Sequence, residues 1–251
     1  MKIVVIGGTG LIGSQVVKQL QQTTHEVIAA SPNNGVNTLT GEGLNEVLKG
    51  ANVVVDVSNS PSFEDTAVMN FFKTSNQNLL AAEKAVGVQH HVALSVVGTQ
   101  KLQASGYFRA KQVQEDMIKA SGISYTIVHA TQFFEFAGGI VQMSMADGKV
   151  VVPDANIQPI ASKDVASFVA EVALGQPANK ILEIGGPDKF NMASWVKQYD
   201  QATNKNYEIV ADTKALYSGA PLDTDTLAPE NAVFLGKNHY ADWIAEPENQ
   251  R

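Results

Sequence analysis

Seven residues near the start of the chain combine glycines with a spacing that suits phosphate binding. They contain both G-x-G-x-x-G and G-x-x-G-x-x-G, directly after an apolar run and before a helical pattern. Glycines at these positions permit a tight turn and let backbone N–H groups approach a pyrophosphate at the positive end of a helix. The residues predicted to bind the pyrophosphate of a dinucleotide are Gly7, Gly8, Thr9, Gly10, Leu11, Ile12 and Gly13.

The segment after the second apolar run bears on which dinucleotide binds. An NAD enzyme usually carries an acidic residue there to hold the ribose 2′-hydroxyl. This chain has Ser31, Asn33 and Asn34 instead, with neither a carboxylate nor a basic residue. Their neutral side chains can donate hydrogen bonds to a 2′-phosphate, or they simply form a turn. We expect NADP, with NAD as the alternative. Ser58 and Asn59, after the third run, either line the ribose or adenosine side of the cofactor or belong to another turn.

Tyr107 and Lys111 are spaced i, i+4, which makes them neighbours on one helix face. A nearby cation favours the phenolate and suits a tyrosine to proton transfer near neutral pH. Ser95 ends the preceding strand pattern, at the edge where open α/β sheets hold ligands, and can hydrogen-bond a substrate carbonyl. A surface pair plus an ordinary serine at a strand end is the alternative interpretation.

The elements that position these residues alternate along the chain. Continuous apolar runs predict strands at Ile3–Ile6, Val27–Ala30, Val53–Val55, Val92–Leu94, Tyr125–Val128 and Ile181–Ile184. Three- and four-residue spacing of apolar residues predicts helices at Ser14–Gln22, Leu44–Leu48, Thr66–Val86, Tyr107–Ser121 and Lys163–Leu174. Gly87 and Gly122 are expected to end helices, and Asp164 to cap one. The fold class is therefore α/β, a doubly wound parallel sheet or Rossmann fold.

The glycine-rich turn, Ser95, Tyr107 and Lys111, in this order, resemble the short-chain dehydrogenase/reductase superfamily. Residues 130–136 and 158–166 are similar to its atypical, NmrA-like and sugar-epimerase-like branches. The resemblance implies that Tyr107 donates the proton, that Lys111 holds the nicotinamide ribose and tunes the tyrosine, and that Ser95 orients the carbonyl. It implies a hydride transfer between NAD(P) and a small carbonyl or alcohol substrate. The alternatives are an NADP(H)-sensing regulatory protein without turnover and a nucleotide-sugar epimerase.

Composition and pattern limit the remaining possibilities. With 44% hydrophobic residues, a net charge of −7 and no cysteine, the chain is predicted to be globular, without nucleic-acid binding, disulfides or thiolate metal sites. Adjacent His90 and His91 point to opposite faces of a strand, so no metal site is expected. No apolar segment suits a signal or membrane span, so we expect a cytoplasmic protein without membrane contact. Residues 1–155 are predicted to form the NAD(P)-binding domain. Residues 156–251 are predicted to form a mixed region that partly returns to the sheet and partly forms the substrate pocket. No oligomeric state is predicted.

Overall fold

A computed structural model describes residues 1–250 of the chain. Its strands are β1 (Lys2–Ile6), β2 (Glu26–Ala30), β3 (Val53–Asp56), β4 (His90–Val96), β5 (Tyr125–Ala130), β6 (Met145–Ala146), β7 (Lys149–Pro153), β8 (Asn156–Ile157), β9 (Lys180–Gly185), β10 (Phe190–Asn191), β11 (Glu208–Asp212) and β12 (Ala232–Leu235). Its helices are α1 (Leu11–Leu20), α2 (Leu44–Leu48), α3 (Asp65–Val86), α4 (Gly106–Ala120), α5 (Ala137–Met143), α6 (Ser162–Leu174), α7 (Met192–Thr203) and α8 (Tyr240–Ala245). Short 3-10 turns cover Pro32–Asn34, Phe134–Phe136 and Pro247–Asn249.

The central sheet has seven strands in the order β12-β9-β5-β4-β3-β1-β2. Strand β1 pairs in parallel with β2 and β3, and β3 pairs in parallel with β4. The Rossmann-type α/β fold is thus confirmed. From β1 the chain goes to β2 on one side of β1 and then to β3 on the other. Such a reversal opens a crevice at the carboxyl ends of β1 and β3, where doubly wound sheets bind ligands.

The predicted strands and helices are confirmed, with ends that differ by a few residues. All residues of β3, and all but the first of β1, are buried, as expected for strands covered on both faces. Gly87 ends α3 in the left-handed conformation, at φ 76°. Asp164 is a correction, because α6 begins at Ser162 and the aspartate lies in the first turn. Its carboxylate instead accepts hydrogen bonds from the backbone N–H groups of Lys237 and Asn238.

The described chain packs as two compact units, each built from separate segments. The first comprises Met1–Ser95, Gly106–His129 and Val165–Leu182. The second comprises Val96–Ser105, Ala130–Asp164 and the chain from Glu183 onward. The second unit contains a three-stranded sheet, β11-β7-β6, and the antiparallel pair β10-β8. All the site residues predicted from sequence lie in the first unit.

Candidate functional site

The glycine-rich turn connects β1 to α1 with very little space around it. Gly7 has φ +77°, and a Cβ added there would lie 2.9 Å from the backbone of Ser58. A Cβ on Gly8 would lie 2.8 Å from the Cα of Ala29, and one on Gly13 only 2.1 Å from the carbonyl oxygen of Gly7. Side chains are therefore excluded where the turn meets both neighbouring strands. The glycine types follow from close backbone packing as well as from the phosphate site predicted there.

The first turn of α1 offers backbone donors for an anion. Gly10 precedes the helix in an extended conformation and provides no side-chain cap, and no acidic residue lies in the first turn. The first N–H groups of a helix have no acceptor within the helix, and they carry its positive dipole end. A Cβ on Gly10 would meet only the carbonyl oxygen of Gly7, at 3.3 Å. The turn thus keeps uncapped donors beside a backbone free of side chains, which fits a pyrophosphate.

The residues after β2 form a self-contained turn. Asn34 Oδ1 accepts hydrogen bonds from the backbone N–H of Ser31 at 2.7 Å and from its hydroxyl at 2.8 Å. Asn34 Nδ2 donates to the carbonyl of Ala29. Ser31 is buried, whereas Asn33 is exposed. The turn-forming alternative therefore describes Ser31 and Asn34 as they lie here. Asn33 and Asn34 are both exposed, but the amide of Asn34 is engaged in the turn.

The loop after β3 carries the other predicted cofactor residues. Ser58 is held through both its N–H and its hydroxyl, which donate to Asp56 Oδ1 at 3.0 and 2.6 Å. Asn59 Oδ1 accepts a 3.3 Å hydrogen bond from the Tyr107 hydroxyl. Since a Cβ on Gly7 would meet Ser58, this loop and the glycine-rich turn adjoin at the crevice between β1 and β3. Three separately predicted segments are thereby brought together: the turn, the loop and the start of α4.

Lys111 is buried below this edge of the sheet. Its Nζ donates to the carbonyl of Leu94 at 2.9 Å and to Gln114 Oε1, and it lies 4.5 Å from the centre of the Phe72 ring. Burial lowers the pKa of Lys111 to about 8, against the opposing effect of the Asp56 and Glu115 carboxylates. The ammonium group is thus surrounded by two hydrogen-bond acceptors and an aromatic ring.

Tyr107 lies one turn before Lys111 and shares a neighbour with it. The Tyr107 ring packs edge-on against Phe72, with 6.0 Å between centroids, and also against Phe63 and Phe108. Phe72 of α3 therefore contacts both members of the pair. Tyr107 and Lys111 both lie on α4, as expected, and their chemical roles stay predictions.

Ser95 is oriented toward the protein interior. Its hydroxyl donates to Glu115 Oε1 at 2.6 Å, and the same oxygen pairs with His129 Nε2 at 2.8 Å. Ser95, Glu115 and His129 are all buried. Hydrogen bonds from His129 and Ser95 and the positive charge of Lys119 outweigh burial and lower the pKa of Glu115. The hydroxyl hydrogen that would hold a carbonyl is donated to a carboxylate in this arrangement.

Three polar residues that organise this region were not predicted from the sequence. Asp56, Gln114 and Glu115 are each almost fully buried and hydrogen-bonded to predicted site residues. The sequence held a signal for Gln114 and Glu115, because both fall on one helix face with Lys111 and the apolar Ile118. Polar side chains on an apolar helix face need buried partners. Among residues 1–250, no group of three His, Cys, Asp or Glu is arranged to hold a metal ion.

The chain was compared with known protein families. The family described as NAD(P)H-binding matches residues 7–175, which include the glycine-rich turn, Tyr107 and Lys111. The chain belongs to this family. NAD(P) binding, expected from the turn, is therefore confirmed. At the level of family and fold, so is the resemblance to an NAD(P)-binding, epimerase-like branch of the short-chain dehydrogenases/reductases.

Two curated relatives illustrate different activities. Divinyl chlorophyllide a 8-vinyl-reductase of Cucumis sativus is 32% identical over 226 residues, with 74% of this chain and 53% of the relative covered. Photosystem II assembly factor Ycf39 of Cyanophora paradoxa is 24% identical, with 83% and 71% covered. The chain spans about half the length of the vinyl-reductase relatives that it matches.

Solved structures share the fold at low sequence identity. The crystal structure of dTDP-4-dehydrorhamnose reductase from Bacillus anthracis in complex with NADP has a TM-score of 0.72 and 11% identity, with 97% of each chain covered. At this identity the likeness shows the fold alone. No helix within residues 1–250 has the length and apolar character needed to cross a membrane.

Proposed function

We propose that the protein is an NAD(P)H-dependent oxidoreductase that transfers a hydride between its cofactor and a carbonyl or alcohol carbon of a small molecule. The observation that carries this proposal is the joint position of Tyr107 and Lys111. The tyrosine hydroxyl reaches Asn59 of the loop after β3, and the lysine ammonium reaches the carbonyl of Leu94 near the end of β4. Both side chains therefore lie at the carboxyl edge of the sheet, where the cofactor crevice opens.

Five parts of the chain have defined roles in this proposal: the glycine-rich turn with α1, Ser58, Asn59, Lys111 and Tyr107. The backbone of the glycine-rich turn and α1 binds the pyrophosphate, and Ser58 and Asn59 border the ribose. The bound dinucleotide supplies the hydride. Lys111 donates its remaining ammonium hydrogen to the nicotinamide ribose, and Tyr107 gives a proton to the oxygen that becomes the alcohol. Lys111 also favours the tyrosinate electrostatically when the direction is reversed.

The absence of an acidic residue after β2 supports NADP over NAD. A carboxylate at this position would repel a 2′-phosphate, and the turn from Ser31 to Asn34 has none. Asn33 and Asn34 are both exposed, and the amide of Asn34 already donates to the carbonyl of Ala29, so Asn33 is the side chain available there to donate to the phosphate. We therefore propose NADP(H) as the preferred cofactor, and Asn33 rather than Ser31 or Asn34 as its direct contact after β2.

The substrate class is tested together with the cofactor. The purified protein is assayed by absorbance for NADPH and NADH oxidation with ketones, aldehydes, quinones and conjugated vinyl compounds, the last because a relative is named a vinyl-reductase. Tyr107→Phe should retain NADPH affinity within about twofold and lose at least about 100-fold in turnover, the usual scale for a general acid. Tyr125→Phe is the matched control and should retain full turnover, because Tyr125 begins β5 and so lies at the amino edge of the sheet, away from the cofactor crevice. Unchanged turnover in Tyr107→Phe would sink the proposed role of the tyrosine.

A second candidate function is regulatory binding without turnover. The relative named as a photosystem II assembly factor covers 83% of this chain, and the same glycine-rich turn would serve a protein that binds NADP(H) and then a partner. Tight NADPH binding with no oxidation of any substrate in the assay above would favour this candidate over the oxidoreductase.

A further inference from the structure

Gln114 joins a buried ammonium to a buried carboxylate. Its Oε1 accepts a hydrogen bond from Lys111 Nζ, and its Nε2 donates to Asp56 Oδ2 at 3.1 Å. The side chain is 1% exposed. Only the carbonyl end of an amide can accept from an ammonium, and only its amine end can donate to a carboxylate, so the partners determine the orientation of the amide.

Groups from β3, β4, α3 and α4 surround the ammonium of Lys111. Asp56 at the end of β3 and Glu115 on α4 are the carboxylates whose charge acts on it, and the Leu94 carbonyl of β4 accepts one of its hydrogens. On the α3 side it faces the ring of Phe72. Within residues 1–250 no ion pair joins Asp56 to Lys111; its Oδ2 accepts a hydrogen bond from Gln114 and its Oδ1 accepts one from Ser58. Gln114 is therefore the side-chain acceptor that holds the ammonium next to the end of β4.

We infer that Gln114 is a positioning residue for Lys111. Its amide holds the ammonium between the Leu94 carbonyl and the Asp56 carboxylate, and it thereby sets both the direction of the free ammonium hydrogen and the fraction of the protein in which Lys111 is charged. The chain Ser58–Asp56–Gln114–Lys111 also ties the loop after β3 to the lysine. This inference deepens the proposed function, since it rests on Lys111 as the residue that contacts the nicotinamide ribose.

The test measures Lys111 directly, without relying on turnover. Protein with ¹³C-labelled lysine is titrated by NMR, and the Lys111 signal is assigned by its loss in Lys111→Met. Gln114→Met keeps the size of the side chain and removes both hydrogen bonds, so the pKa of Lys111 should fall by about one unit or more. Gln114→Glu brings a carboxylate beside the ammonium and should raise the pKa of Lys111 above that of the wild type.

Gln112→Met is the matched control. Gln112 lies on the same helix, and its amide donates to Asp116 at the exposed surface. We expect the Lys111 titration in this variant to match the wild type. Circular dichroism checks folding, and Gln114→Glu decides the question if Gln114→Met fails to fold. A Lys111 pKa that stays within about 0.3 units of the wild type in the folded Gln114 variants overturns the inference.

NADPH affinity, measured on the same variants, separates this inference from the proposed function. If Lys111 contacts the ribose, Gln114→Met should weaken NADPH binding about fivefold at pH 8 for a fall of one pKa unit, and less at pH 6.5, where the lysine is mostly charged in both proteins. A lowered Lys111 pKa with unchanged NADPH affinity supports the positioning role of Gln114 and contradicts the ribose role of Lys111.

Discussion

The hydroxyl of Ser95 donates a 2.6 Å hydrogen bond to the carboxylate of Glu115. Glu115 projects from α4, four residues after Lys111, and the same carboxylate oxygen also holds His129 at the end of β5. Strands β4 and β5 are thus both anchored to the helix that carries Tyr107 and Lys111. In this arrangement Ser95 supports the position of the helix, whereas the resemblance assigns it to the substrate.

Ser95→Ala distinguishes these two roles. The variant leaves the buried Glu115 with one hydrogen-bond donor fewer, so unfolding free energy should fall by about 1–3 kcal/mol in denaturant titrations. Turnover with the best substrate should change less than about tenfold, because no donor to the carbonyl is removed. A loss of about 100-fold in turnover at wild-type stability would instead indicate that the Ser95 hydroxyl rotates away from Glu115 and hydrogen-bonds the substrate carbonyl.

Gly10→Ala tests the anion site in the glycine-rich turn. The new methyl group meets only the Gly7 carbonyl, at 3.3 Å, so the protein should fold normally. A methyl group at the entrance to α1 obstructs the approach of a pyrophosphate to the backbone, and the Kd for NADPH should rise at least about tenfold. Gly139→Ala is the control, because its added Cβ would lie more than 4 Å from every atom other than the adjoining residues and the backbone of its own helix. Equal NADPH affinity in both variants would argue against phosphate binding at this turn.

Cofactor affinity should depend on pH through Lys111. Burial lowers its pKa to about 8, so the side chain is charged below this pH and becomes neutral above it. At pH 9 only about a tenth of Lys111 is charged, and the Kd for NADPH should be about tenfold higher than at pH 7. The comparison is made by fluorescence titration with Lys111→Met, which should lose this dependence, and with the exposed-site variant Lys84→Met, which should keep it. A pH profile that is the same in all three proteins would rule out the ammonium as a cofactor contact.

His90 should contribute to acid sensitivity. It lies at the start of β4, with Nε2 against the Thr126 hydroxyl and Nδ1 buried without a hydrogen-bond partner. Burial, together with the neighbouring His91, lowers the pKa of His90 to about 4. Below its unfolded pKa of about 6.5 the unfolded chain binds a proton that the folded chain does not, so stability is lost as pH falls from about 6.5 toward 4.

Replacing His90 should reduce the loss of unfolding free energy at acidic pH. Between pH 7 and pH 4.5, the unfolding free energy of His90→Gln should fall less than that of the wild type, by on the order of 2 kcal/mol. Urea titrations at a series of pH values measure the difference. His25→Gln, at a half-buried position before β2, is the control and should follow the wild-type curve. Parallel curves for His90→Gln and the wild type would contradict a buried neutral imidazole.

Local patterns in the sequence were sufficient to predict the fold class. Apolar runs and three- to four-residue periods depend only on neighbours along the chain, and they predicted the strands and helices around Gly7–Gly13. The spacing of Tyr107 and Lys111 likewise predicted that they share a helix face, since helical geometry alone determines it. The glycines between Gly7 and Gly13 indicated a dinucleotide, because their spacing within one short segment is enough to predict a phosphate-binding turn.

Only the tertiary structure decided what the polar groups bind. Ser95 faces Glu115, twenty residues further along the chain, and Gln114 reaches Asp56, which precedes it by fifty-eight. These pairs depend on which strand adjoins which helix and on which way each strand faces, and neither is encoded in local spacing. Burial then excludes water, so each polar group must find a protein partner, and those partners orient Lys111 and Ser95.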